Sequence, residues 1–284
     1  MVTVTPLETT LGARITDIKI SHMSSDEWTV VENAFHEHAA LIFPEQHVTD
    51  EEQAAFGERF GDIELLRDGK QKAVPISNQK PDGTAMDAEE TRFKTLRGNE
   101  GWHTDSSYMH VAAKATVLSA HTVPTSGGAT EWADMRAAFD ALEQATRARV
   151  ESLAARHSVR YSQARLGYAE PAGFSYGFEY SDPPLRPLVK VHPVTGRKSL
   201  FLGRHAHGIP NLSASESEQL LDNLMDFACR APRTFAHNWQ PGDIVIWDNR
   251  CVLHRAHPWN HAQARVMHHT RISGDPTTES AQSA

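Results

Sequence analysis

The stretch Gly98-Asn99-Glu100-Gly101-Trp102-His103-Thr104-Asp105-Ser106-Ser107-Tyr108 decides how the rest of the chain is read. At its centre stand His103 and Asp105. Side chains alternate faces along an extended backbone, so an imidazole and a carboxylate at this spacing point to the same side. They can take adjacent positions on a metal and leave others open. A third donor must come from elsewhere, and Trp247-Asp248-Asn249-Arg250-Cys251-Val252-Leu253-His254-Arg255-Ala256 offers His254. Two histidines and one carboxylate with open positions make the donor set of non-haem Fe(II).

The motif alone is weak. Of the 17 histidines only His103 is followed at the second position by an acidic residue, but with 36 acidic residues in 284 chance alone supplies such pairs. Two readings compete with iron: a hydrogen-bonded core pair, and a hydrolytic zinc site, which the same ligands also suit. Nothing resembles His-Glu-x-x-His, in which one helix carries both ligands and base. Gly173-Phe174-Ser175-Tyr176-Gly177 matches the nucleophile elbow of serine hydrolases, but Ala169-Glu-Pro-Ala before it and Phe-Glu-Tyr-Ser-Asp-Pro-Pro after it do not read as the required strand and helix. No Gly-rich phosphate loop occurs.

Working outward, Arg265 lies downstream of His254 in Arg265-Val266-Met267-His268-His269-Thr270-Arg271. If this is a strand, Arg265, His269 and Arg271 share a face. A guanidinium there can grip a carboxylate through two parallel hydrogen bonds, a geometry that lysine lacks.

Composition sets wider bounds. A chain of 284 residues can bury a sizeable core. The net charge of −8, without a basic run, excludes a nucleic-acid footprint. Two cysteines, Cys229 and Cys251, are too few for a disulfide scaffold. No apolar run approaches a membrane span, and Met1–Leu7 shows no basic region followed by an apolar one, so a soluble, cytoplasmic protein is expected.

Periodicity predicts strands over 10–20, 39–43, 73–77, 116–122, 233–239, 243–247 and 265–273. Ser24-x-x-Glu27, Thr49-x-x-Glu52 and Ser213-x-x-Glu216 read as capping boxes that open helices, and Asp134 as a further cap. Residues 79–98 are polar and turn-rich, a candidate lid or a plain loop, and 165–187 reads as an excursion without regular structure. The expected architecture is mostly β with inserted helices, a double-stranded β-helix (jelly roll) in a single domain over 1–275, with a flexible tail at 276–284.

Taken together, Leu41-Ile-Phe-Pro44, Phe56-x-x-Arg59-Phe-Gly61, Ile76-Ser-Asn78, Trp102-His-Thr-Asp105, Gly127-Gly-Ala-Thr130 with Asp134-Met-Arg-Ala-Ala138, and Trp247-Asp-Asn-Arg250 leading to His254-Arg255 resemble the taurine/2,4-dichlorophenoxyacetate dioxygenases. These are Fe(II)- and 2-oxoglutarate-dependent oxygenases with a jelly-roll fold. The resemblance runs from about Leu11 to about Gly274. It implies that His103, Asp105 and His254 are the iron ligands, that Thr130 and Arg265 hold the distal carboxylate of 2-oxoglutarate, and that O2 is the other cosubstrate. It also implies that Asn99, Ser106 and Tyr108 line the substrate pocket.

Pro184–Pro193, Gly203-Arg-His-Ala-His-Gly-Ile-Pro210 and Ala231-Pro-Arg233 are most similar to the branch acting on (S)-2-phenoxypropionates and phenoxyacetates. That likeness implies an aryloxyalkanoate substrate, oxidised at the carbon between ether oxygen and carboxylate to give a phenol, a 2-oxo acid, succinate and CO2. A sulfonate, a sulfate ester or another natural carboxylate is the alternative. The family places a second arginine four residues after the cosubstrate arginine, where this chain has His269. Arg271 is therefore the expected substrate anchor, with His269 its rival and Arg204 or Lys72 next. A small-molecule carboxylate and further copies of the chain, in a homo-oligomer, are the expected partners.

Overall fold

The three capping boxes form as the sequence predicts. The hydroxyls of Ser24, Thr49 and Ser213 each accept the amide of the glutamate three residues on, and that glutamate's carboxylate returns to the cap's own N–H. Each box satisfies donors that a helix start leaves open. The computed structural model describes residues 1–65, 71–80, 82–87, 89–168, 177–178 and 182–282.

Strands β1 (Thr3–Pro6) and β2 (Ala13–Thr16) precede α1 (Ser25–His38), β3 (Ala40–Phe43), α2 (Asp50–Glu58), β4 (Val74–Ser77) and α3 (Thr91–Gly98). Then come β5 (Ala115–Thr122), β6 (Thr130–Asp134), α4 (Met135–Asp140), α5 (Gln144–Glu151), β7 (Ala154–His157) and α6 (Val159–Ala164). Short strands β8 (Leu185–Pro187), β9 (Val189–Val191), β10 (Lys198–Leu200) and β11 (Ala206–His207) lead to α7 (Ala214–Ala228). The chain closes with β12 (Thr234–His237), β13 (Ile244–Asp248), β14 (Val252–Ala256), β15 (Val266–Ile272) and α8 (Pro276–Glu279).

The larger sheet runs β1-β2-β3-β13-β5-β15-β4, and β12-β6-β14 forms a smaller sheet facing it. This is the expected jelly roll. In β13 the alternation of faces assigns every side chain: Ile244 and Ile246 join a core under α1 and α2 that includes Phe35 and Phe56. Val245 and Trp247 turn inward to Leu118, Trp132 and Met267. A strand buried on both faces reads as an unbroken apolar run, as Ile-Val-Ile-Trp does. A third core beside the smaller sheet packs α4 and α7 against Leu200, Leu202 and Leu253.

Four expectations change. The strand expected over 10–20 is confined to Ala13–Thr16. Part of the polar stretch 79–98 is helical, from Thr91 to Gly98, and Met86 within it is buried. The excursion over 165–187 ends in β8, while residues 169–176 and 179–181, which include most of the Gly-x-Ser-x-Gly match, lie outside the described residues.

The supposed tail is docked as far as 282. The amide of Ala112 donates to the Glu279 carbonyl, and those of Ala281 and Gln282 donate to His110 and Leu185. The Glu279 side chain is buried against Lys190. No helix among the described residues is long and apolar enough to cross a membrane.

Phe35 is fully buried, edge-on to Phe60 at 4.9 Å between ring centres. Phe35→Ala should lower the free energy of unfolding by about 3–5 kcal/mol, the usual cost of an aromatic-sized core cavity. Denaturant unfolding reads this directly, and an unchanged midpoint would mean that α1 does not seal the large sheet.

Candidate active site

His103 and Asp105 lie in the loop between α3 and β5, and His254 is the central residue of β14. A pair of main-chain hydrogen bonds joins the two segments: the His103 amide donates to the His254 carbonyl at 3.0 Å, and the His254 amide donates back at 2.8 Å. Donor atoms of His103, Asp105 and His254 all fall within 4.8 Å of one another. His254 Nε2 is 3.8 Å from Asp105 Oδ2.

The environment prepares each group as a ligand. His103 Nδ1 donates to the Gly101 carbonyl at 2.8 Å, which leaves the Nε2 lone pair for a metal. Burial lowers the pKa of both imidazoles, so both are neutral at pH 7. Burial opposes the charge on Asp105, but the Arg271 guanidinium, helped by the hydrogen bond from Thr116, outweighs it and holds the carboxyl well below its usual range. Its Oδ2 accepts from Thr116 Oγ1 at 2.7 Å, and its Oδ1 from Arg271 Nη2 at 3.1 Å. The set is two neutral imidazoles and one carboxylate, which fits a divalent iron with positions to spare.

Asn249 supports the His-x-Asp loop from behind. Thr104 Oγ1 donates to the Asn249 carbonyl at 2.8 Å. Asn249 Oδ1 accepts from Trp247 Nε1 at 2.9 Å, and its Nδ2 donates to Thr116 Oγ1, also at 2.9 Å. The Trp247-Asp-Asn-Arg250 motif is thus scaffolding for the triad. Asp248 is saturated by Arg250 and His192 on the far side.

A cavity of about 420 Å³ opens beside the triad. At one end Arg265 is buried, with Nε donating to the Gly128 carbonyl at 3.0 Å and Nη2 at 3.4 Å from Thr130 Oγ1. Asn78 Oδ1 accepts the Arg265 amide, and the guanidinium lies 5.3 Å from the centre of the Trp259 ring. Burial pushes the Arg265 pKa down to about 10, still charged at neutral pH, and no carboxylate among the described residues pairs with it.

The remaining expected residues separate. Asn99, Tyr108, His269 and Arg271 line the cavity. Burial raises the Tyr108 hydroxyl to a pKa of about 12, so it stays protonated. Ser106 does not line the cavity: it is fully buried and hydrogen-bonds Glu64 and Arg271. Its backbone sits in the left-handed region (φ 52°), uncommon for a residue other than glycine. Arg271, the expected anchor, is already engaged with Asp105 and Ser106. Lys72 is paired with Glu58 and is not among the cavity residues.

Arg204 is placed differently. Its Nη1 donates to the Gly98 carbonyl, its buried Nη2 has no hydrogen-bond partner, and no carboxylate among the described residues pairs with it. Burial brings its pKa down to about 10. Leu96 of α3 and Val159 and Gln163 of α6 complete this wall, and nothing in their sequence spacing announced them.

Comparison with known proteins bears on the whole of this arrangement. The family model described as taurine catabolism dioxygenase TauD, TfdA family matches residues 3–272. The chain belongs to this family. An (S)-phenoxypropionate/α-ketoglutarate dioxygenase of Sphingobium herbicidovorans is 50% identical to it over 284 residues, covering 98% of this chain and 97% of that protein. An α-ketoglutarate-dependent 2,4-dichlorophenoxyacetate dioxygenase of Cupriavidus pinatubonensis is 34% identical, covering 92% and 94%. A crystal structure of AAD-2 in complex with Mn(II) and N-oxalylglycine superposes with a TM-score of 0.91 at 34% identity, covering all of both chains.

Asn249→Ala should leave the fold intact but lower Fe(II) affinity by about 10–100-fold, the usual effect of removing a group that orients metal ligands. A competition titration with Mn(II), read by electron paramagnetic resonance, measures it. Native affinity in the variant would reduce Asn249 to a packing residue.

Proposed function

We propose that the protein is an Fe(II)- and 2-oxoglutarate-dependent dioxygenase that oxidises an aryloxyalkanoate such as (S)-2-phenoxypropionate or 2,4-dichlorophenoxyacetate. The observation that carries this reading is a single cavity holding the His103/Asp105/His254 triad together with two guanidiniums, the buried Arg265 and the half-buried Arg204, that have no carboxylate partner among the described residues. A desolvated cation without an anion is costly, and a carboxylate ligand offsets that cost. Two such cations match a reaction that brings two carboxylates, one from the cosubstrate and one from the substrate.

His103, Asp105 and His254 would hold Fe(II), which with 2-oxoglutarate supplies the oxidising chemistry that leaves succinate and CO2. Arg265, aided by the Thr130 hydroxyl, takes the distal carboxylate of 2-oxoglutarate. Arg271 keeps Asp105 ionised and oriented. Arg204 takes the substrate carboxylate, and this role passes to it from Arg271 because the Arg271 guanidinium is engaged by Asp105. Ile76, Leu96 and Val159 supply apolar wall for the aryl ring. The carbon between ether oxygen and carboxylate is thereby carried to the triad, where its oxidation yields a phenol and a 2-oxo acid. Positioning of this kind accounts for a large share of enzymatic rate enhancement.

Arg265→Lys keeps the charge but loses the planar fork. The KM for 2-oxoglutarate should rise about tenfold or more, from loss of about 1.5–3 kcal/mol of charge-assisted hydrogen bonding, while the KM for the aryloxy acid stays put.

Arg204→Leu should do the reverse, raising the aryloxy-acid KM about tenfold or more and sparing substrate-independent succinate formation. With its pKa near 10, Arg204 remains charged below that value and loses charge above it, so wild-type substrate KM should stay level between about pH 6 and 9. A KM climbing from pH 6 to 8 would instead identify an imidazolium, His269, as the anchor. Running the same assay with alkyl sulfates distinguishes the carboxylate reading from a sulfate-ester one.

A further inference from the structure

A second group of metal-ligating side chains lies on the outer face of the large sheet, on the side of β5 and β15 away from the catalytic cavity. Its members are Asp50, His121 and His268, whose donor atoms fall within 4.8 Å of one another. We propose that these three residues form a separate site for a divalent cation of the zinc class.

The backbone brings them together for identifiable reasons. His268 of β15 pairs with Ser119 of β5. The register then shifts, Met267 pairing with Ala120 but Val266 with Thr122, so His121 is the extra residue of a β-bulge. A bulge re-aims side chains, and here it leaves His121 beside His268, the rings stacked 4.0 Å apart at 30°. The third donor arrives on α2. Gln53 Nε2 donates to the His268 carbonyl at 3.0 Å, and its Oε1 accepts from Ser119 Oγ at 2.5 Å, which bolts the helix to these strands. Asp50, one turn earlier on the same helix face, reaches His268 Nδ1 with its Oδ1 at 2.5 Å.

The chemistry of the group fits a dication better than it fits protons. Two imidazoles in stacking contact cannot both carry charge cheaply; burial and the neighbouring His268 both lower the His121 pKa. Of the charged groups acting on His121 the only carboxylate is Asp50, and no lysine or arginine is among them. Zinc-class ions take such nitrogen and oxygen donors at about 2.0–2.2 Å and complete their shell with water. A recess of about 180 Å³ bordered by His47 and Gly242 adjoins the His121 member of the group. Asp50 is 46% exposed, so ions can enter from solvent and its side chain can draw in.

The inner trio His36, His192 and Asp248 is a useful contrast. There Arg250 takes both oxygens of Asp248, and His192 Nδ1 accepts from the amides of Val194 and Thr195, so the donors of these two residues are already engaged within the protein. That trio is a structural lock.

Equilibrium dialysis of the untagged full-length protein against Zn(II), followed by elemental analysis, tests the proposal. Wild type should retain about two ions per chain, one at the triad and one at the outer site. His121→Ala and Asp50→Asn should each retain about one, His103→Ala about one, and the His103→Ala/His121→Ala protein none. Zn(II) should also raise the Tm of His103→Ala protein, and this rise should vanish in the double variant. Asp50→Asn is nearly isosteric and covers the case in which His121→Ala folds poorly. Equal zinc content in wild type and both outer-site variants overturns the proposal, as does a His103→Ala protein that takes up no zinc. Should the triad alone fail, wild type would hold one ion and His121→Ala none, which upholds the outer site while removing the catalytic reading.

Discussion

The reciprocal main-chain hydrogen bonds between His103 and His254 are the constraint on which the site depends. They join a loop before β5 to the middle of β14, two segments far apart in sequence. Fixing both backbones at once removes most of the freedom by which the ligands could drift apart, so little remains for the side chains to lose when a metal arrives. Asn249 adds a second tie, since its carbonyl and amide groups reach Thr104, Trp247 and Thr116 together. Thr116 in turn orients Asp105. The ligands are therefore held by a closed circuit of hydrogen bonds between two sheets, and the buried groups within that circuit have few alternatives to one another.

Three of the cavity arginines show how neighbours divide labour among identical side chains. Arg271 faces a carboxylate and serves to orient it. Arg265 faces a carbonyl and a hydroxyl, and Arg204, among the described residues, a carbonyl. Neutral acceptors satisfy some N–H groups but not the charge. The guanidiniums left electrically incomplete are the ones that a dicarboxylate and a carboxylate substrate would complete. Under the proposed function, selectivity for acids follows from these two guanidiniums.

Much of this was legible in the sequence where short-range patterns govern. The capping boxes, the both-sides-buried β13 and the His103-x-Asp105 spacing with His254 all appear as read, and Arg265, just ahead of β15, lines the cavity. What escaped reading depends on through-space company. Arg204 looks no different from other arginines until it is seen to have no carboxylate partner among the described residues. Arg271 looked free for the same reason in reverse. The polar tail seemed too hydrophilic to pack, yet Arg186 donates to the Glu279 carbonyl and Lys190 meets its carboxylate. A buried charge is cheap only with a partner, and the partner lies in another part of the chain. The bulge at His121 likewise follows from strand register, which no local pattern specifies.

The origin of the cavity walls has an evolutionary consequence. His254 and Arg265 stand in or beside strands of the two sheets, and Thr130 opens β6, so their positions are tied to the barrel itself. Arg204 sits between β10 and β11, Leu96 on α3, and Val159 and Gln163 on α6, all outside the paired sheets. Insertions or substitutions in these outlying pieces can reshape one wall while the strands behind the other stay in register. A lineage built this way can exchange one acid for another through changes in its appendages, with the oxidising machinery inherited intact. The barrel supplies heredity and the appendages supply variation.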